Sequence, residues 1–165
     1  MHPTSMNNMQ YFCNKYLKGH EKVLDVGSMD VNGSYKSMFN NYTGLDIATG
    51  LNVDIVADDP YEWDIEDGTF DAVISGQTFE HVEFPEKTMK EIGRVLKPGG
   101  FVCIIAPSTG PKHDYPGDYR RYSEEMICDL ARMGGLKKLE SRMSPVGVWK
   151  DAMIIAEKPK DKKKK

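Results

Sequence analysis

The feature that most restricts how this chain can fold is a series of short, β-rich apolar runs at residues 23–26, 42–46, 53–58, 70–75 and 101–106. Several are nearly continuous in apolar character, as strands buried on both faces of a parallel sheet must be. Helical patterns are interleaved with them. Residues 85–96 place Pro85 in a first turn and Met89, Ile92 and Leu96 on one face, and then stop at Lys97-Pro98-Gly99-Gly100. Ser123 can cap another helix, with Glu124 and Glu125 in its first turn, Ile127, Leu130 and Ala131 inside, and Gly134-Gly135 at its end. Ahead of the first strand, Met6, Met9, Cys13, Tyr16 and Leu17 recur at three- and four-residue steps, which suits an amphipathic helix ending near Gly19. This alternation predicts an open, doubly wound α/β sheet of five parallel strands, with ligands beyond the carboxyl ends of the strands. Residues 136–142 and 148–156 can pair as two final strands. The first and third strands are too close in sequence for two full helical crossovers, so those connections must be short.

A chain of 165 residues with 39% hydrophobic content supports one compact core. The expected organisation is a single domain over residues 1–157, with an N-terminal helix at 1–19 and a core at 20–157, followed by a disordered lysine-rich tail at 158–165. The longest apolar runs span about six residues, far short of the roughly 20 that cross a bilayer, and the N-terminus lacks a signal-peptide pattern. The expectation is a soluble, cytoplasmic protein with no membrane partner. Outside the tail the chain carries 16 basic against 24 acidic side chains. An acidic body argues against a broad nucleic-acid-binding face, which needs clustered Lys and Arg. Cys13, Cys103 and Cys128 show no paired or metal-ligand spacing and read as packing residues, so no metal is assigned.

Two carboxylates stand out. Val23-Leu24-Asp25-Val26-Gly27-Ser28 runs a strand into an acidic residue and a glycine turn, where backbone can approach a ligand closely. About 20 residues on, Tyr42-Thr43-Gly44-Leu45-Asp46 ends a second strand in a carboxylate able to accept from both hydroxyls of a ribose. Asp58, closing the third run, can accept from an adenine amine, with Asp59 as the competing candidate. The pattern specifies a nucleoside.

These segments, with DGTFDAVISGQTFEHV at 67–82 and RVLKPGGFVCIIAPS at 94–108, resemble the class I S-adenosylmethionine-dependent methyltransferases, in particular the small type 11 and type 23 groups. The resemblance spans residues 20 to 157. It implies a Rossmann-like sheet ending in an antiparallel strand pair, and S-adenosylmethionine as cofactor. By the same resemblance Asp25, Val26, Gly27 and Ser28 hold the methionine part, Asp46 and the adjoining Ile47 the ribose side, Asp58 or Asp59 the adenine, and Gln77 lines the cleft. One departure is plain: the glycine loop reads Gly27-Ser28-Met29, with Met29 where a second glycine is expected, and Gly33 is the candidate to supply the missing freedom.

A sulfonium methyl is already electrophilic, so catalysis consists largely of aligning an acceptor and removing its proton. The most concentrated polar segment, residues 112–122, follows the fifth strand and is the expected acceptor-binding loop. His113 is the candidate general base, oriented by Asp114 or Asp118, and Arg120 or Arg121 can hold an anionic part of a small-molecule acceptor. The run around His113 is similar to methyltransferases of glycan and natural-product pathways, which favours O-methylation of a sugar-type acceptor. Glu80 and His81 read as mainly structural. The alternative is a non-catalytic module of the same fold that binds an adenosyl ligand or a partner. An NAD-dependent oxidoreductase is disfavoured, because G-x-G-x-x-G is missing.

Overall fold

The computed structural model describes residues 3–113, 117–145 and 147–160. Seven strands form one sheet: β1 (Lys22–Val26), β2 (Asn41–Asp46), β3 (Ile55–Val56), β4 (Phe70–Gly76), β5 (Leu96–Pro107), β6 (Lys137–Met143) and β7 (Asp151–Glu157), in the spatial order β3-β2-β1-β4-β5-β7-β6. The first five pair in parallel, and β7 runs antiparallel to both β5 and β6. This is the Rossmann-like sheet expected, with its antiparallel pair. The order reverses between β1 and β4, which opens a crevice at their carboxyl ends.

The central strands are continuous in apolar character because both faces of the sheet are covered. Helices α2 (Pro85–Val95) and α3 (Glu124–Met133) pack on the face carrying Leu24, Val73, Val102 and Ile104. Helix α1 (Pro3–Tyr16) packs on the opposite face, against Val23, Ala72, Ile74, Cys103 and Ile105. α3 forms where its signals place it: Ser123 Oγ accepts from the Met126 N–H at 3.2 Å, and Gly134 and Gly135 close the last turn on carbonyls of residues 130–132. In α2, Pro85 occupies the first turn, and Met89, Ile92 and Val95 are fully buried. The two helices meet closely, since a Cβ added to Gly93 would lie 2.1 Å from the Gly134 carbonyl oxygen.

Four expectations are corrected. Helix α2 stops before Lys97-Pro98-Gly99-Gly100 as read, but the strand expected from Phe101 already begins at Leu96, and the stretch lies within β5 as an irregularity, with Phe70 paired to Leu96 and Ala72 to Phe101. The third run shrinks to Ile55–Val56, because Asp54 is spent on Gly44, whose N–H donates to Asp54 Oδ2 and whose carbonyl accepts the Asp54 N–H. The final strand begins at Asp151 and extends to Glu157. Lys158, assigned to the tail, continues the ladder: its N–H donates to Gly100 and its ammonium to the carbonyl of Leu96. Residues 161–165 of the tail lie outside the described residues.

The crossovers on the β1–β3 side are short, as anticipated. Between β1 and β2 there is one 3-10 turn, Lys36–Met38, and the sheet face is covered by Tyr35, which is 1% exposed. Between β2 and β3 the loop itself lies on the sheet: a Cβ on Gly44 would stand 1.9 Å from the Asn52 carbonyl oxygen. No helix among the described residues is long and apolar enough to cross a membrane.

Candidate active site

The crevice is lined by the turns that follow β1, β2 and β4. Gly27 sits at φ +78°, the left-handed region, and the N–H groups of Gly27 and Ser28 both donate to the Leu45 carbonyl, which ties the turn to β2. On its other side the turn meets Thr78, for a Cβ on Gly27 would fall 2.2 Å from Thr78 Cγ2. Asp25 is 4% exposed and accepts from the Tyr42 hydroxyl at 2.8 Å. Burial pushes its carboxyl up to about 7, against the Tyr42 hydrogen bond and with help from the Asp46 charge. Val26 is buried behind it. Ser28 Oγ is buried with no hydrogen-bond partner among the described residues.

Asp46, half-buried, accepts the Met29 N–H on Oδ2 at 2.9 Å and the Ile47 N–H on Oδ1 at 2.8 Å. A carboxylate offers about four lone-pair sites, so capacity for two hydroxyls remains. Ile47 beside it is 59% exposed, an apolar surface at the mouth of the crevice. The exposed Asp58 follows Ala57, whose N–H donates to the Asp46 carbonyl, and so shares that edge. Asp59 instead accepts from the Tyr61 N–H at 2.7 Å and shapes a turn. Met29 is accommodated by a glycine, but by Gly50 and not Gly33: a Cβ on Gly50 would lie 2.8 Å from Met29 Cγ. Gly33 donates to Asp30 within its own loop.

Gln77 differs from expectation. Held at φ +58°, it directs its amide to Asp151 Oδ1 at 2.9 Å and to Ser5 Oγ, a buried polar group that also includes the Tyr35 hydroxyl. It borders the crevice through its backbone, while its amide braces α1 and β7.

The loop after β5 also departs from its expected wiring. Asp118 accepts from the backbone N–H of His113 at 2.8 Å and from both terminal nitrogens of Arg121, so its carboxylate is committed to the guanidinium rather than to the imidazole. The Arg121 partner holds Asp118 well below the usual carboxylate range. Arg121 also donates to the carbonyls of Pro111 and Arg120 and lies over Trp149, and Arg120 binds the carbonyls of Val82 and Glu83. Both arginines therefore clasp the loop. Asp114 lies outside the described residues. The ring of His113 packs edge-on against His81 at 4.8 Å and against Trp149 at 5.4 Å. Glu80, 2% exposed, completes this group, with its Oε1 3.7 Å from His81 Nε2. Burial pushes the Glu80 carboxyl up to about 7, partly offset by Arg121.

Tyr42, Thr78 and Trp149 were not legible as site residues. Tyr42 carried a usable signal: Tyr42, Gly44 and Asp46 alternate along one strand and so share a face with Asp25 across the register. Trp149 carried none, since only the pairing of β5 with β7 brings it over the loop.

Residues 24–104, just under half of the chain, match the methyltransferase domain family. A curated relative, the reducing polyketide synthase BOA6 of Botryotinia fuckeliana, is 29% identical over 108 residues, which cover 51% of this chain and 4% of that protein. The chain thus spans only a small fraction of that relative. Among solved structures, an S-adenosylmethionine-dependent methyltransferase from Methanosarcina mazei superposes with a TM-score of 0.69 at 15% identity, covering 98% of this chain and 99% of that one. Haemonchus contortus phosphoethanolamine N-methyltransferase 2, in complex with phosphomonomethylethanolamine and S-adenosylhomocysteine, gives 0.73 at 19% identity over 95% of this chain and 52% of that one. The [4+2]-cyclase SpnF gives 0.67 at 18% identity over 86% and 76%.

The fold is the Rossmann-like one shared by these superposed structures. The matched segment, residues 24–104, is similar to the methyltransferase domain family, whose implied cofactor is S-adenosylmethionine. The residues present fit the cofactor: a glycine turn in the left-handed region, a buried serine oxygen lacking a partner, and two carboxylates facing one edge suit a ligand that is cationic at one end and rich in hydroxyls in the middle.

Proposed function

We propose that this enzyme methylates an oxygen of a small, polyhydroxylated acceptor of sugar type. The observation that carries the reading is the continuity of the two halves of the crevice. Thr78 touches the glycine turn at Gly27, and within three residues the same segment supplies Glu80 and His81, which meet His113 and Trp149. An acceptor resting on the Trp149 and His113 rings would present a hydroxyl to a group of proton acceptors next to the cofactor turn.

The proposed division of labour is as follows. Asp25 would balance the positive charge of the cofactor's amino acid portion, Ser28 would donate or accept at its carboxylate end, Asp46 would hold the ribose hydroxyls with Ile47 against the adenosine, and Asp58 would reach the adenine. S-adenosylmethionine, when bound, supplies the activated methyl group. His113 takes up the acceptor proton, and Asp118 with Arg121 holds the loop that presents it. Fixing the acceptor in line replaces the encounter of two free molecules, an effect worth up to roughly 7–11 kcal/mol when alignment is good.

The test is calorimetric titration of S-adenosylmethionine and, separately, NAD into the protein and its Asp46→Ala variant, followed by a screen of sugar acceptors. Selective binding of S-adenosylmethionine, lost in Asp46→Ala, with methyl transfer to a hydroxyl that drops at least tenfold in His113→Ala, is expected. Binding without turnover on any acceptor would favour a non-catalytic module.

A further inference from the structure

The cluster formed by Glu80, His81 and His113 is built from three ligand types that bind metals, and its wiring is that of a ligand set. One ligand atom from each lies within 4.8 Å of the others. Glu80 is 2% exposed, yet its Oε2 has no hydrogen-bond partner among the described residues. A buried carboxylate oxygen left unpaired is costly, and it is expected to face a cation or another donor. His81 Nδ1 is hydrogen-bonded to the Gly117 carbonyl, and a carbonyl only accepts, so Nδ1 carries the proton and the lone pair is on Nε2, the nitrogen facing Glu80. A backbone carbonyl fixing one imidazole nitrogen so that the other can coordinate is the usual outer shell of a metal-bound histidine.

We infer that Glu80, His81 and His113 form a binding site for a divalent transition-metal ion, of the zinc or cobalt type, on the acceptor side of the crevice. Two imidazoles and one carboxylate suit such ions better than magnesium or calcium, which favour all-oxygen sets. With bonds of about 2.1 Å, tetrahedral ligands stand about 3.4 Å apart, so Glu80 and His81, at 3.7 Å, are nearly in place and no pair has to close by more than about 1.4 Å. The remaining position would be open to an acceptor hydroxyl. With the ion bound, His113 would be a ligand and the ion would acidify that hydroxyl, so the base role given to His113 above belongs to the ion-free protein. The role at the acceptor rests on the methyl-transfer reading above; the binding of the ion does not.

The experiment uses metal alone. Metal-free protein is titrated with Co2+ and followed by its visible absorption, then with Zn2+ in competition, for the unaltered chain, Glu80→Gln, His113→Asn and the double variant. One equivalent with a low-coordinate Co2+ spectrum, displaced by Zn2+ and weakened more than about a hundredfold in each single variant, is expected, since even outer-shell changes cost ten- to hundredfold. Glu80→Gln keeps shape while removing a buried acid, and S-adenosylmethionine titration of every variant checks folding independently. His2 and His20 are retained throughout, so a spectrum that persists in the double variant overturns the site, as does no stoichiometric binding in the unaltered chain. Metal binding without methyl transfer leaves the site standing and removes only the proposed reaction.

Discussion

Asp25 shows how one residue can couple proton and ligand. Its carboxyl is held at about 7 because it is buried, so near neutrality a large fraction is protonated. In the unfolded chain the same group would ionise near 4, so from about pH 4 to about pH 7 the folded state binds the extra proton. Stability contributed by Asp25 therefore declines as pH rises through that window and is flat above it. Asp25→Asn, which keeps the Tyr42 hydrogen bond within reach, should flatten this slope in denaturant melts at pH 5 and pH 7.5. A cation beside Asp25 favours the ionised form, so affinity for S-adenosylmethionine should rise several-fold from pH 6 to pH 7.5, with proton release, and should lose that dependence in Asp25→Asn. Calorimetry in buffers of different ionisation enthalpy measures both. Gly27→Ala makes the complementary test: at φ +78° and with Thr78 2.2 Å from the new Cβ, it should abolish cofactor binding.

At the scale of elements, local rules and packing oppose each other at Gly93. Within a helix, Gly→Ala ordinarily stabilises by about 0.5–1 kcal/mol. Here the added methyl meets the Gly134 carbonyl at the end of α3, and the clash is with backbone, which cannot rotate away. Gly93→Ala should therefore destabilise by about 1–3 kcal/mol, read as a lower urea midpoint. Ser123→Ala should cost about 1 kcal/mol by the loss of the cap on Met126. The elements themselves were largely legible. Ser123, Glu124, Glu125 and Gly134 marked α3 to the residue, and Pro85 marked the start of α2. What was illegible depends on long-range pairing. The proline and glycines at 98–100 follow the end of α2 as read, but their place in β5 was not legible, because Lys158 satisfies the backbone on their far side. The carboxylates at the ends of β1 and β2 could be found from order and spacing, whereas Glu80 and His113 are 33 positions apart and meet only through the sheet.

For the molecule as a whole, closure at the C-terminal end is measurable. Lys158 joins Gly99 and Gly100 through the backbone and Leu96 through its ammonium. Relative to a chain ending at Lys160, one ending at Glu157 should lose about 1.5–4.5 kcal/mol, at roughly 0.5–1.5 kcal/mol for each of these three hydrogen bonds. Scanning calorimetry separates the two.

The placement of α1 bears on the order in which the protein is made. Besides its packing on β1, β4 and β5, it bonds to the far end of the described chain: Thr4 donates to Asp151, Tyr11 to Glu140, and Asn8 accepts from Arg142. Such sequence separations make closure slow, and synthesis runs from the N-terminus. Helix α1 precedes every strand in the sequence, so it is synthesised before them and completes its docking only once β7 has been made. Until then Tyr35 and Gln77 lack their partner Ser5, so the nascent chain passes through a stage in which the sheet is assembled and the side of the crevice at Gln77 is unfinished.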